Sequence, residues 1–137
     1  MRNYLQLVQR IQKLPESARA AIAAGSAQRL MDHHLNLPAT DRDPFIAALA
    51  PDLDKLRGAL LAPSADADKA LRRLLKKHRS ESYADQIGKN DWPRGDDHVF
   101  AAAMNALEAY CHRDAESGSS AAMRLIDAAS DMAGNDL

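Results

Sequence analysis

Between its turn-forming segments this chain repeats one pattern. Apolar residues recur three and four positions apart, the spacing that gathers side chains on one side of an α-helix. Tyr4, Leu7, Val8, Ile11 and Leu14 follow it first, then Phe45, Ile46, Leu49, Leu53, Leu56 and Leu60. Val99, Phe100, Ala103, Met104, Leu107, Tyr110 and Cys111 follow it toward the C-terminus. Composition agrees: 27 alanines and 17 leucines, strong helix formers, stand against two Phe, three Tyr and one Trp. The chain is therefore read as all-α: a single domain over residues 1–137, folded as a bundle of about six helices. At 137 residues it is long enough to bury a core without disulfides or metal.

Prolines and turn formers set the expected boundaries. A first helix covers residues 3–13, and Pro15 suits the first turn of a second that reaches His34. In that second helix Ala18, Ala21, Ile22 and Gly25 are small or apolar enough to admit a close neighbour, with Leu30 and Met31 extending the face. After a loop at 36–40, Thr40 or Asp41 caps a third helix over 44–61. Pro51 kinks or splits that helix, with Ala50 as the break. Pro63-Ser64 ends the unit and caps a fourth helix over 65–78, on which Ala70, Leu71, Leu74 and Leu75 face inward. Residues 80–95 break the periodicity, with a short helical turn at 83–87. The fifth helix starts at Asp96 or Asp97, and residues 114–119 form a polar loop around Gly118. A sixth helix covers 120–133, with Ala122, Leu125, Ile126 and Ala129 inward and Gly134 as its stop. Helices one, two, five and six are expected to supply most of the core, and helix four to lie at the surface.

The net charge of −1 hides an asymmetry. Residues 1–80 hold 14 Lys/Arg and 8 Asp/Glu, a balance of +6, whereas residues 81–137 hold 4 and 11, a balance of −7. Such fields steer charged partners, unless the halves fold together and cancel. The basic excess concentrates on the outer face of the fourth helix, in Lys69, Arg72, Arg73, Lys76, Lys77 and Arg79. That face has three readings: a solvated helix surface, a grip on nucleic-acid phosphates, or a dock for an acidic partner. It carries no interleaved aromatics, and the rest of the chain is not basic, so nucleic acid is the alternative reading and not the leading one.

Motifs for catalysis and metal binding are weak. His33 and His34 are adjacent and point about 100° apart on a helix. The Asp32-His33-His34 triplet lacks the strands and further Asp clusters of a phosphoesterase. Glu108 and His112, four apart, supply only two of the three or four ligands that zinc requires. Cys111, the one cysteine, lies on an apolar face and reads as a buried thiol. No motif implies a cofactor, and a helical enzyme with a site assembled from distant residues is the third reading. The N-terminus has no apolar signal region and no apolar run is long enough for a bilayer, so the expected location is the cytoplasm.

The segment Asp91-Trp92-Pro93-Arg94-Gly95-Asp96-Asp97-His98 combines the only tryptophan, three carboxylates and a helix start. Tryptophan is enriched at binding hot spots and loops often carry function. Asp91, Trp92, Asp96, Asp97 and His98 are thus the candidate partner-binding residues. The alternative is structural, with Trp92 folded onto Phe100 and the aspartates only capping the helix.

Two stretches also carry a resemblance. Leu14-Pro15-Glu16-Ser17-Ala18-Arg19 runs into Gln28-Arg29-Leu30-Met31, and Trp92 to Phe100 is followed by Asn105-Ala106-Leu107-Glu108, then by an alanine-rich helix from Ser120 to Ala133. This order resembles the YjaG-like helical proteins of bacteria, and is similar to small helical immunity proteins that neutralise secreted bacterial toxins. It spans about two-thirds of the chain and leaves out residues 40–80. The resemblance implies a cytoplasmic, non-enzymatic bacterial protein that binds another protein, and it transfers no catalytic residue.

Overall fold

A computed structural model describes residues 4–80, 96–113 and 115–133, with side-chain surroundings for 5–78, 98–113 and 116–127. The described chain is helical and without strands: α1 (Tyr4–Gln12), α2 (Glu16–Leu35), a 3-10 turn (Ala39–Asp41), a one-turn α3 (Pro44–Ala47), α4 (Ala50–Leu61), α5 (Ala65–Ser80), α6 (Asp96–His112) and α7 (Ala115–Ala133). The all-α bundle expected from the apolar spacing is what forms. No helix among the described residues is long and apolar enough to cross a membrane.

α2, α6 and α7 pack on one another and form the centre, with α4 and α5 closing one side and α1 lying on α7. The core runs through Leu30 and Met31 of α2, Leu53 and Leu56 of α4, Leu71 and Leu75 of α5, and Phe100 and Leu107 of α6. Ile46 and Leu49, at the α3–α4 junction, are fully buried within it. The third predicted helix therefore contributes more to the core than expected, and the first contributes less. Among the described side chains of the N-terminal stripe only Ile11 is buried, while Leu7 is 37% exposed.

The breaks follow local chemistry. Pro51 does split the 44–61 segment, but the break falls at Ala48 and Leu49, and Pro51 becomes the second residue of α4. There its missing N–H removes no intrahelical bond. Ser64 caps α5 through its Oγ, which accepts the Ala67 N–H at 3.0 Å. Pro15 precedes α2 as its cap residue and is not inside the first turn. The cap of α3 is Asp43, not Thr40 or Asp41, which sit in the 3-10 turn. Asp43 Oδ1 accepts the Phe45 N–H at 2.8 Å, while its own N–H donates to Nε2 of the buried His34 at 3.2 Å. The residue that caps α3 with its side chain is thus also tied by its backbone to a histidine at the end of α2.

Two expectations about small residues are corrected. Ala21 and Gly25 of α2 are exposed; the buried face is Ala20, Ala23, Ser26, Ala27, Leu30, Met31 and His34. Alanine is so frequent in α2 that small size marks no face. The polar loop expected over 114–119 is largely helix, since α7 begins at Ala115. The turn is made by Arg113, which takes a left-handed φ of 57° directly after α6 ends. Gly118 is a packing residue inside α7: a Cβ there would lie 3.1 Å from Arg19 Cβ and 3.3 Å from the Arg19 carbonyl oxygen on α2.

Candidate functional site

The segment richest in candidate residues is described only at its helical end. Asp91 and Trp92 lie outside the described residues, as do the 83–87 turn and the Trp92–Phe100 contact. Asp96 and Asp97 form the first turn of α6, as expected, and their side-chain surroundings are outside the described set. His98 is 8% exposed, with Val99 and Phe100 buried beside it. The ring of His98 is thus turned into the protein; three consecutive buried residues span about 200° of a helix, so the start of α6 is covered on more than one side. Phe100 stacks on Phe45 of α3 at a centroid distance of 5.6 Å. The start of α6 is therefore clamped by three consecutive buried side chains.

α5 presents the basic face as the periodicity predicts. Leu71 and Leu75 are buried, a gain of about 1.5–3 kcal/mol each, Leu74 is half-buried, and Ala70, expected inward, is exposed, as are Lys69, Arg72, Arg73, Lys76 and Lys77 on the other side. The side chain of Arg79 lies outside the described residues. His78, on the inward side, donates from Nε2 to Asp52 Oδ2 of α4 at 2.7 Å, both side chains being 13% exposed. This pair joins α4 to α5.

The remaining candidates separate. Asp32 and His33 are exposed while His34 is buried, so the triplet points in different directions. Glu108 accepts from Ser117 Oγ of α7 at 3.4 Å, and His112 is exposed one turn further on. Cys111 is buried. Among the described residues no three His, Cys, Asp or Glu side chains converge as a metal would require.

One cleft, which the sequence pattern does not reveal, opens between α2, α4, α5 and α6. It encloses about 200 Å³ over an apolar floor that includes Ala20, Ala59, Leu60 and Ala109. Its polar lining comes from Glu16, Ser17, Asp68, Tyr110 and Arg113. Tyr110 donates its hydroxyl proton to Asp68, 42 residues away. Arg113 reaches Glu16 at 3.5 Å, and its carbonyl accepts from the Arg19 guanidinium at 3.0 Å. Both carboxylates of the cleft are thus engaged, by Tyr110 and by Arg113, in contacts that close α2, α5 and α6 on one another. Tyr110 was legible as a residue of the buried face of its helix; its partner was not, because the hydrogen bond joins helices.

Burial, reinforced by the hydrogen bond and charge of Asp68 and by Cys111, and opposed by Arg113, pushes the Tyr110 phenol up to about 12. Unfolded tyrosine titrates near 10. The folded state therefore holds this proton more tightly, and the stabilisation is complete below about pH 10 and is lost as pH rises toward about 12. Denaturant midpoints measured across that window should fall more steeply for the parent than for Tyr110→Phe. Equal slopes would assign the alkaline loss to other groups. No family model, curated protein or solved structure matches the chain.

Proposed function

We propose that this chain is a non-enzymatic bacterial protein-binding domain of the immunity type, which binds and neutralises a basic toxin domain in the cytoplasm. The observation that carries the reading is the placement of Asp96 and Asp97. They open α6 in the half of the chain that bears −7, and they are followed at once by buried His98, Val99 and Phe100. A helix start held by buried side chains has little backbone freedom to lose on binding, which lowers the cost of association. Their charge, with that of Asp91, speeds encounter with a basic cleft and rejects acidic competitors. Trp92 serves as the apolar anchor of the contact. His98 works from behind this surface, holding the helix start in place.

The test is capture from cells of the native organism with the parent and with a Trp92→Ala, Asp96→Lys, Asp97→Lys variant of unchanged helicity. The parent should recover one basic protein, and the variant should bind it at least about 100-fold more weakly, as expected for losing an anchor and reversing two charges. Equal affinity of the two would remove this segment from the interface. Recovery of nucleic acid alone, with a steep salt dependence, would transfer the function to the cationic face of α5.

A further inference from the structure

The two charged halves of the chain do fold together, with α2 packed on α6 and α7, yet α5 leaves part of the positive charge unanswered. Lys69, Arg72, Arg73, Lys76 and Lys77 share one side of α5, opposite Leu71, Leu75 and His78. Among the described residues, Lys69, Arg72, Arg73 and Lys76 have no ion-pair partner. Residues 69 and 73, 72 and 76, and 73 and 77 are like charges four positions apart, a spacing that works against the helix. The carboxylates of α5 itself lie in its first turn, at Asp66 and Asp68, and Asp68 is engaged by Tyr110. Because the apolar side of α5 is the one that meets α4 and α6, the cationic side faces away from both.

We infer that the cationic face of α5 is a self-association surface whose occupant is the acidic half of a second copy of the chain. Each copy carries both complements, +6 and −7, in equal amount. With a net charge of −1, two copies approach without long-range repulsion, and charge segregation on a nearly neutral molecule favours association. A nucleic-acid surface would instead be expected on a chain with a clear overall basic excess. The face carries no aromatic anchor, so the contact rests on charge and is sensitive to salt. This inference does not depend on the identity of any toxin partner.

Sedimentation velocity on the full chain tests it, over a protein concentration series at about 0.01 M and about 1 M salt, where the Debye length is about 30 Å and about 3 Å. The parent should form larger species with rising concentration at low salt and sediment as a monomer at high salt. Arg72→Glu with Arg73→Glu should weaken association at low salt at least about tenfold, whereas Arg72→Lys with Arg73→Lys should preserve it. Circular dichroism checks folding, and Lys69→Gln with Lys76→Gln gives the same reading if the double glutamate variant does not fold. A parent that is monomeric at low salt overturns the inference. So does association that survives charge reversal or 1 M salt, or a complex that forms only when an oligonucleotide or an acidic protein is added.

Discussion

Phe100→Ala is expected to lower the folding free energy by about 3–5 kcal/mol, the range for truncating a buried aromatic. The side chain is 1% exposed and stacks on Phe45, so its removal forfeits the transferred apolar surface, leaves a cavity and ends the ring contact. Nearby Ile46, Leu49 and Val99 belong to the same core, whose packed helices limit how far the cavity can collapse. Against a total stability of about 5–15 kcal/mol for a domain, the loss is a large fraction. Denaturant unfolding measures it as a lower midpoint at constant slope. The consequence reaches the proposed partner surface, because Phe100 is the innermost of the three residues that clamp the start of α6. A loss below about 1 kcal/mol, within the range of ordinary surface substitutions and mild core swaps, would show that the α3–α6 contact is not part of the cooperative core.

The second large effect is expected at Gly118. A leucine there should cost about 1–3 kcal/mol or more through overpacking, since even the Cβ would stand 3.1 Å from Arg19 Cβ and 3.3 Å from a backbone oxygen. Arg19 has little room to retreat. Its guanidinium donates to the Leu14 carbonyl at 2.6 Å and to the Arg113 carbonyl at 3.0 Å, holding the start of α2 against the α6–α7 turn. Alanine is the informative control. It gains about 1 kcal/mol of helix propensity over glycine, which offsets the squeeze, so Gly118→Ala should lie close to the parent. Thermal or denaturant unfolding of the three proteins separates propensity from space. Equal stability of the leucine and alanine variants would mean that α2 and α7 are not in close contact at this point.

The links that hold these helices in register were invisible in the sequence for a common physical reason. Periodicity tells which side of a helix is apolar, but not which neighbour meets it. The inward faces of α4, α5 and α6 were therefore legible, as were the split at Pro51 and the Ser64 cap, since each depends on residues within one or two turns. The Tyr110–Asp68 and His78–Asp52 pairs span 42 and 26 residues, and no local pattern marks either. Thr40 and Asp41 are as good cap formers as Asp43 in isolation; in the fold they lie in the 3-10 turn, and Asp43 is the one that stands directly before α3. Gly118 reads as a turn residue by propensity, and only the approach of α2 gives its missing side chain a purpose.

The same division applies to function. The sequence alone determined the all-α class, the amphipathic α5 and the opposite charge of the two halves, because helix propensity, apolar spacing and formal charge are properties of residues and their near neighbours. Tertiary structure decided which charges are answered. It turned His98 inward behind Asp96 and Asp97, joined Asp52 to His78 and Asp68 to Tyr110, and left four cations of α5 without an ion-pair partner among the described residues. Those outcomes depend on how helices distant in the chain are oriented about a shared core, which their own sequences do not encode locally.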